Sequence, residues 1–300
     1  MRVHRARKRY GDLQALDGVD LTLHPGEWIG LIGPNGAGKT TLMRSISGLQ
    51  SLDAGVIALF GTRVEGRGSA GAGLGLVPQE LALYPMLTAR ENLDVFGRLH
   101  GVRPPQLAER IEWALDWTGL ASRAAVPVRQ FSEGMKRRLN IACGVLHQPK
   151  VVLLDEPTVG VDPQGRQRIW TMLDGLRARG ASLLQSSHQL DEIESRCDRM
   201  LILDRGQVRA EGTLAELAAH TILGERRVTI TLSHAPAALP LDGFALEGGV
   251  LRGTLHDVAA ELPSVLERVR VSGAEIEGLR VEAPSLEEVF TELTGRELRE

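Results

Sequence analysis

The sequence feature that most constrains the fold is an apolar segment, a glycine-rich turn and a helix in immediate succession. The apolar segment Trp28–Ile32 predicts a buried strand, the turn reads GPNGAGKT at residues 33–40, and a helix is predicted to begin near Lys39. Such a turn fits the pattern G-x-x-x-x-G-K-[ST], in which successive backbone N–H groups surround a phosphate at a helix N-terminus. Its three glycines let the backbone approach the phosphates closely. The sequence therefore predicts an α/β fold with a nucleotide-phosphate site at this turn.

Other apolar segments predict the rest of this α/β core. Several are continuous rather than alternating, which is the pattern of strands covered on both faces of a parallel sheet. Besides Trp28–Ile32, the predicted strands are Val19–Leu23, Leu74–Val77, Val151–Leu154, Ser182–Gln185 and Met200–Leu203.

Residues 80–148 have a helical pattern and are predicted to form an insert within the core. One helix is predicted over Thr88–Leu99, another from the Pro104-Pro105 break to about Thr118, and a third from near Ser132. We expect the apolar face of each helix to be buried and the polar face to be solvated. The expected apolar residues are Leu93, Phe96 and Leu99 on the first helix and Met135, Leu139, Ala142 and Leu146 on the third, whose outward residues are Lys136, Arg137, Arg138 and Asn140.

After residue 223 the pattern changes to short strands and helices. Strands are predicted over Val228–Leu232, Val250–Leu255 and Glu275–Val281, and helices over Asp257–Val269 and Leu286–Leu293. We therefore predict a nucleotide-binding α/β core domain over residues 1–223 and a small α+β appendage over residues 224–300. For the appendage we expect dimer or partner contacts.

Composition argues against several classes of protein. The hydrophobic fraction of 43% and the charged fraction of 24% are ordinary for a soluble globular protein. The longest apolar runs fall short of the ~20 residues that cross a bilayer. The net charge of −3 argues against broad electrostatic binding to nucleic acid. The basic start from Arg2 to Arg9 is interpreted as a solvated strand edge, with a polyanion contact as the alternative. Two cysteines, Cys143 and Cys197, without a CxxC pair favour a reducing, cytosolic compartment.

Two acidic residues follow the predicted strand Val151–Leu154. The segment reads VVLLDEP, so Asp155 and Glu156 lie where a buried strand emerges. This position suits Asp155 for holding Mg²⁺, through water, and Glu156 for orienting and deprotonating an attacking water. The alternative interpretation is an acidic pair that caps a helix.

Two further motifs carry candidate phosphate contacts. In FSEGM, at residues 131–135, Ser132 has the placement of a helix N-cap with Gly134 behind it. A hydroxyl, a bare N–H and the helix dipole together suit a γ-phosphate. Because Lys39 already holds the phosphates of its own chain, we expect Ser132 to serve a nucleotide held by another copy. His188 follows the strand Ser182–Gln185, where it is expected to meet the γ-phosphate or the attacking water.

Gln79 and Tyr10 are candidates with a competing structural interpretation. Gln79, in VPQE, ends a predicted strand where the insert begins, so it is expected to reach Mg²⁺ and to report the γ-phosphate to the insert. Its alternative role is that of a polar turn residue. Tyr10 precedes Gly11 and is a candidate for stacking on adenine, against an ordinary packing role.

The order and spacing of these motifs resemble those of the ATP-binding subunit of an ABC transporter, over about residues 1–223. The resemblance implies a P-loop ABC ATPase core of α/β class with a helical insert subdomain, followed by the α+β appendage. It implies ATP and Mg²⁺ as ligands, Glu156, His188 and Lys39 as catalytic residues, and Thr40, Gln79 and Asp155 as metal contacts. Val161-Asp162 would be the D-loop. The implied ATP contacts are Tyr10, Gly33, Pro34, Asn35, Gly36, Ala37, Gly38, Lys39, Thr40, Thr41, Gln79, Ser132 and Gly134.

The resemblance also implies partners. In such proteins two subunits close head to tail over two ATP molecules, and hydrolysis reopens them. It therefore implies a homodimer or a paired ATPase subunit, an integral-membrane permease subunit, no nucleic acid, and a location on the cytoplasmic face of the cell membrane. The runs FSEGMKRRLNIA and APSLEEVFTELTGRE resemble the drug-resistance and antibiotic-export group of the daunorubicin type. That group also exports ions, lipids and polysaccharides, so the cargo stays open.

The signature segment departs from the family consensus Leu-Ser-Gly-Gly-Gln. It keeps Ser132 and Gly134 and differs at Phe131, Glu133 and Met135. Because Glu133 brings a negative charge near a polyphosphate, we expect its side chain to point away from the nucleotide.

Two other interpretations remain. A soluble ABC-type ATPase acting on ribosomes or DNA would predict a tandem ATPase domain or a long heptad-bearing insertion, and the sequence shows neither. A regulatory module without useful turnover is opposed by Glu156 and His188 and kept open by Glu133.

Overall fold

The computed structural model describes residues 1–66, 69, 71, 73–219, 226–233, 241 and 243–295. By the proximity of Cα atoms the chain divides into two compact units, the first spanning Met1–Glu211 and the second beginning at Gly212. The predicted domain boundary between residues 223 and 224 lies outside the described residues. Within the described part of the chain, no helix has the length and apolar composition needed to cross a membrane.

The first unit contains two sheets and the helices that pack on them. Its strands are β1 (Arg2–Tyr10), β2 (Leu13–Thr22), β3 (Trp28–Ile32), β4 (Ala54–Leu59), β5 (Thr62–Arg63), β6 (Leu74–Val77), β7 (Val151–Asp155), β8 (Ser182–Ser186), β9 (Arg199–Asp204) and β10 (Gln207–Gly212). Its helices are α1 (Lys39–Ile46), α2 (Ala89–Leu99), α3 (Pro104–Thr118), α4 (Glu133–Val145), α5 (Pro163–Ala178) and α6 (Leu190–Arg196).

The larger sheet has six strands in the order β10-β9-β3-β8-β7-β6. The pairs β9–β3, β3–β8, β8–β7 and β7–β6 are all parallel. Every residue of β3, β7 and β8 is buried, because helices or the second sheet cover both faces. The continuous apolar runs thus predicted these strands correctly, to within one residue at each end.

The smaller sheet is antiparallel, with the order β2-β1-β4-β5. Strand β1 therefore lies inside this sheet, and the prediction that the basic start is a strand edge is wrong. The arginines of β1 are exposed, but Lys8 is buried and its Nζ lies 2.7 Å from Asp53 Oδ1. Val3 and Ala6 are both buried in the same apolar cluster although they lie three residues apart, because the strand is irregular between them, where Arg5 has φ 47°.

Two apolar clusters hold the larger sheet between its neighbours. On one face, Ile29 and Leu31 of β3 pack with α1 and with the apolar face of the smaller sheet. On the other face, Trp28 packs with α5, and its ring centroid lies 6.1 Å from that of Trp170. The first of these clusters holds α1 against the sheet directly after β3, and this constrains the glycine-rich turn that connects them.

Helices α2, α3 and α4 form the predicted insert around a separate apolar cluster that includes Leu93, Leu107 and Leu139. Helix α2 starts with a capping box, in which Thr88 and Glu91 satisfy each other's backbone N–H groups. Ser132 is the N-cap of α4, as predicted.

Two details of the insert prediction are wrong. Leu99, expected on the buried face of α2, is 70% exposed because it lies at the last position of the helix, beyond the packed turns. Arg137 and Asn140, expected to face solvent, are 4% and 2% exposed. Their polar atoms are buried against main-chain groups of a distant segment, which the helical pattern of α4 alone does not reveal.

The second unit contains the predicted α+β elements, one more strand and one more short helix. Its strands are β11 (Arg226–Leu232), β12 (Phe244–Glu247), β13 (Val250–Leu255) and β14 (Ile276–Glu282), in the antiparallel order β12-β13-β11-β14. Its helices are α7 (Leu214–Ala219), α8 (Val258–Val271) and α9 (Leu286–Thr294). Strand β12 was not predicted, because it has only four residues and two of them are exposed, which leaves little apolar pattern to detect. Its core joins β11 and β13 to α8 through residues such as Ile230, Leu251 and Val269.

Candidate functional site

The candidate site lies where four neighbouring parallel strands end. Strands β3, β8, β7 and β6 are adjacent in that order, and the carboxyl ends of parallel strands lie at one edge of a sheet. The segments that follow them are the glycine-rich turn after β3, His188 after β8, Glu156 after β7 and Gln79 after β6. The sheet therefore brings four separate sequence motifs to one edge.

The glycine-rich turn is held closely against the surrounding backbone. A Cβ at Gly33 would lie 2.2 Å from Leu203 O, and one at Gly38 would lie 2.3 Å from Ala15 O. Gly38 also has φ 108° and is the N-cap of α1, for which the described residues provide no side-chain cap. Asn35 and Gly36 at the tip are exposed, whereas Pro34 and Ala37 are buried. The start of α1 thus presents uncapped backbone N–H groups, which suits an anion.

Lys39 is buried inside this turn. Its Nζ donates to Gly33 O at 2.5 Å and to Pro34 O at 3.1 Å. Burial lowers the pKa of Lys39 below its ordinary value, and the charges of Glu156 and Asp155 act in the opposite direction. The ammonium is therefore close enough to both carboxylates to interact with their charges, and a phosphate entering the turn would exchange these carbonyl contacts for charge-assisted ones.

Thr40 and Asp155 bring oxygen atoms together from α1 and β7. Thr40 Oγ1 donates to Asp155 Oδ2 at 3.1 Å, and Ser186 Oγ donates to the other oxygen, Asp155 Oδ1, at 2.6 Å. Asp155 is buried, whereas Thr40 is exposed and Thr41 behind it is half-buried. A hydroxyl and a carboxylate at this spacing are the hard oxygen donors that Mg²⁺ prefers.

Glu156 is held in a constrained position beside this pair. It has φ 47°, in the left-handed region that few non-glycine residues adopt, and its N–H donates to Ser186 Oγ at 3.1 Å. Its Oε2 lies 3.1 Å from His188 Nδ1 and accepts from Gln79 Nε2 at 3.3 Å. The Glu156 side chain is 11% exposed and that of His188 is 47% exposed. One carboxylate oxygen thus meets two of the predicted site residues.

Ser132 and Gly134 lie at the N-terminal end of α4, the last helix of the insert. Ser132 Oγ accepts from Met135 N at 3.3 Å, and a Cβ at Gly134 would lie 3.5 Å from Val161. Among the described residues, neither one makes a hydrogen bond to the turn at residues 33–41. Glu133 lies 3.8 Å from Lys136 Nζ and 4.0 Å from an Arg137 nitrogen. Its charge is thus directed toward cations of its own helix.

Tyr10 lies at the end of β1, in the hairpin with β2. It is paired with Leu13 and is 44% exposed, with Lys8 Nζ 5.6 Å from its ring centroid. In the described part of the chain, no hydrogen bond joins it to the glycine-rich turn. Its hairpin partner β2 does reach that turn, because Ala15 O lies against Gly38.

Comparison with known proteins identifies the family. The profile of the ABC transporter family matches residues 16–159. The daunorubicin resistance ATP-binding protein DrrA3 of Streptomyces coeruleorubidus is 39% identical, over 99% of this chain and 96% of the relative. The chain belongs to the ABC transporter ATP-binding proteins. It therefore binds and hydrolyses ATP, as the resemblance of its motifs implied.

Further comparisons agree with this assignment. The Nod factor export ATP-binding protein I of Ralstonia nicotianae is 37% identical, over 99% of this chain and 94% of the relative. A solved ATP-binding subunit of an ABC transporter is 31% identical with a TM-score of 0.65, covering 72% of this chain and 91% of that one. The relatives therefore span both units of this ABC protein.

Two residues that contact the site were missed in the sequence. Ser186 Oγ donates to Asp155 Oδ1 and accepts from the backbone N–H of Glu156. Arg137 Nη1 donates to Gln79 O at 2.6 Å. Ser186 begins the SSH segment that also contains the candidate His188. Its position at the end of β8, directly beside Asp155 at the end of β7, could have identified it. Arg137 had no such signal, because its partner lies 58 residues away in sequence.

Proposed function

We propose that this ABC protein is the ATP-hydrolysing subunit of an exporter. Two copies bind two MgATP molecules head to tail, and hydrolysis powers a separate integral-membrane permease on the cytoplasmic face of the membrane. The observation that carries the proposal is a divided site. Lys39, Thr40, Asp155 and Glu156 converge, whereas the helix start at Ser132 has no hydrogen bond to them among the described residues and so suits the nucleotide of a second copy.

The residues beside Asp155 fit Mg²⁺. Thr40 and Asp155 supply a hydroxyl and a carboxylate 3.1 Å apart, and Ser186 fixes the second carboxylate oxygen. When bound, Mg²⁺ would neutralise charge on the β- and γ-phosphates. We assign Thr40 and Asp155 to this ion and add Gln79, whose amide now bonds Glu156, as a contact that forms when the nucleotide binds.

The chemistry assigned to the protein's own residues follows from their positions. The buried Lys39 ammonium and the N–H groups of the glycine-rich turn bind the phosphates. Glu156 accepts a proton from the attacking water and orients it, since its backbone N–H is held by Ser186 and its carboxylate contacts Gln79. His188, 3.1 Å from Glu156, holds the same carboxylate and reaches the γ-phosphate. Exposed Tyr10 is assigned to adenine stacking.

The permease is proposed to bind the surface that follows Gln79. Tyr84 and Met86 are 48% and 68% exposed, and the Tyr84 ring contacts Phe96 of α2 with centroids 6.1 Å apart. Exposed aromatic and methionine side chains are enriched at protein interfaces. The functions for which the relatives are named, daunorubicin resistance and Nod factor export, support drug, antibiotic, lipid or polysaccharide cargo.

The test is capture of the permease by an ATP-locked variant. Tagged E156Q protein is purified from solubilised membranes with MgATP, and the proteins that accompany it are identified by mass spectrometry. We expect a multi-span membrane protein in stoichiometric amount, lost in E156Q with Met86→Glu but kept in E156Q with Leu49→Glu, a control at another exposed apolar side chain.

Two results of that experiment oppose the proposal. Recovery in the soluble fraction alone, with ribosomal or DNA-associated partners, would favour a soluble ABC ATPase. Recovery of E156Q without any partner, together with a wild-type ATPase rate that no membrane fraction raises, would favour a regulatory module.

A further inference from the structure

The polar face of α4 is buried against the segment that carries Gln79. Arg137 Nη1 donates to Gln79 O at 2.6 Å, and Asn140 Nδ2 donates to Pro78 O at 3.3 Å. Ala82 N donates in turn to Asn140 Oδ1 at 3.0 Å. Arg137 and Asn140 are three residues apart and share one helix face. Together they bind the main chain of residues 78–82, named the Gln79 segment below, at three points.

Arg137 also reaches the segment that follows Glu156. Its Nη2 donates to Val159 O at 3.5 Å, and Val159 N donates to Glu156 O at 3.3 Å. One guanidinium therefore joins α4 to the segments on both sides of the bond between Gln79 Nε2 and Glu156 Oε2. A planar fork with several donors can make both contacts at once, whereas an ammonium acts from a single point.

Burying this guanidinium has a cost. The Arg137 side chain is 4% exposed, and among the described residues its Nε has no hydrogen-bond partner. Its nearest carboxylate, on exposed Glu133, is 4.0 Å away. A buried charged group with an unused donor is unfavourable for stability, so a role in the site accounts for it better than packing does.

We propose that Arg137 and Asn140 are positioning residues for ATP hydrolysis, which set the place of Gln79 beside Glu156 according to the position of α4. The inference rests on the proposed function, because it takes Ser132 as a contact of the nucleotide held by the other copy. Ser132 begins α4, and Arg137 follows it by five residues, roughly 8 Å along the helix axis. A displacement of α4 at its first turn is thereby transmitted to Gln79 and Glu156 of the same copy.

A double-mutant cycle on the full chain tests this link. Arg137→Met keeps most of the side-chain volume and removes the donors, and Q79A removes the amide through which Arg137 is proposed to act. We expect R137M to lower kcat about tenfold with a smaller change in KM for ATP. In the Q79A background R137M should have little further effect on kcat, and R137K should be intermediate between wild type and R137M.

Arg90→Met is the matched control. Arg90 is an arginine of the same insert that binds Glu112 of α3, so its partner lies inside the insert and away from Gln79. We expect R90M to keep the wild-type kcat. If R137M and Q79A instead multiply their effects independently, or if R137M lowers thermal stability with kcat unchanged, the inference is overturned.

Hydrogen exchange tests the same contacts without turnover. In nucleotide-free protein, R137M should speed amide exchange in the Gln79 segment, leaving the exchange of β7 and β8 unchanged, and R90M should leave the segment as in wild type. Unchanged exchange of this segment in R137M would contradict the inference while leaving the proposed function intact. Failure of wild-type protein to hydrolyse ATP, even with its partner, would contradict the proposed function, and the exchange result would still decide whether Arg137 holds the segment.

Discussion

At the scale of single residues, the binding capacity of the site depends on a lysine enclosed by carbonyl oxygens. Lys39 Nζ is bound by Gly33 O and Pro34 O, so the ammonium is already placed inside the turn when a phosphate arrives. A preplaced cation loses little side-chain entropy on binding. The contribution of this residue to affinity should therefore be large.

Lys39→Ala is expected to weaken ATP binding by at least about tenfold, because it removes the buried cation that the phosphates would contact. The measurement is titration calorimetry with ATP and Mg²⁺. Lys150→Ala is the control, since Lys150 is exposed and belongs to the segment that precedes β7. Equal affinities for wild type and K39A would show that the turn does not bind the phosphates.

Gly36 and Gly38 of the glycine-rich turn differ in the steric cost of adding a side chain. Gly38→Ala combines a positive φ with a Cβ that would lie 2.3 Å from Ala15 O, whereas at Gly36 (φ 79°) a Cβ would have no described atom within 4 Å. We expect Gly38→Ala to lower the free energy of unfolding by about 3 kcal/mol and Gly36→Ala by about 1 kcal/mol. Urea unfolding of the two variants measures the difference, and equal losses would mean that the backbone contact at Gly38 is not as described.

The residues that sequence could predict are those whose partners are set by a local pattern. Lys39, Asp155 and Glu156 follow directly from strand, turn and helix, and the structure brings them together. Arg137 and Asn140 were assigned to solvent because a helical pattern records only polarity, and their main-chain partners, Gln79 O and Ala82 N, each lie 58 residues earlier in the sequence. The pairing of β6 with β7 creates that neighbourhood, and no local pattern encodes it.

At the scale of elements, continuous apolar runs were the reliable signal. Strands β3, β7 and β8 are covered on both faces and were predicted almost to the residue. Strands β4, β5 and β10 were missed because they are short or exposed on alternate residues, which leaves few apolar side chains to detect. These buried strands carry candidate site residues at their carboxyl ends, so the places of those residues in the sheet could be predicted from the sequence.

The junction between α2, α4 and β6 contains a stacked pair of histidines. The His100 and His147 rings lie 4.0 Å apart, and His147 Nε2 contacts Leu74 O at 2.9 Å. Burial, reinforced by the charges of His100 and Arg110, lowers the pKa of His147 to about 4, and burial also lowers the pKa of His100. Both rings are therefore neutral in the folded protein near neutral pH.

This pair predicts a loss of stability in mild acid. The pKa of His147 is about 4 in the folded protein against 6.5 ordinarily, so between these values the unfolded chain binds more protons. Stability is thus fully present above pH 6.5 and falls as the pH drops toward 4. We expect wild type to lose about 1–3 kcal/mol more than His147→Gln across this window, as measured by urea unfolding at each pH. Parallel curves for the two proteins would contradict the assignment.

At the scale of the whole molecule, the chain joins an ATP-binding unit to a small second unit. The solved ABC subunit covers 72% of the chain, whereas the DrrA3 relative covers 99% of it. In the tail motif, Ser285 and Glu288 form a capping box and Leu286, Val289 and Phe290 are buried. Helix capping and burial therefore explain these residues of the motif. The sequence predicted the helix but not the capping box or which side chains are buried.

The head-to-tail site is tested most directly by measuring whether the Glu156→Gln variant forms a dimer in the presence of ATP. Because this variant should bind ATP without hydrolysing it, light scattering after gel filtration with MgATP should give twice the mass of one chain. E156Q with Gly134→Asp should bind ATP and stay monomeric, since the added carboxylate would meet the γ-phosphate of the other copy. An E156Q protein that binds MgATP at saturation and remains monomeric would contradict the head-to-tail site.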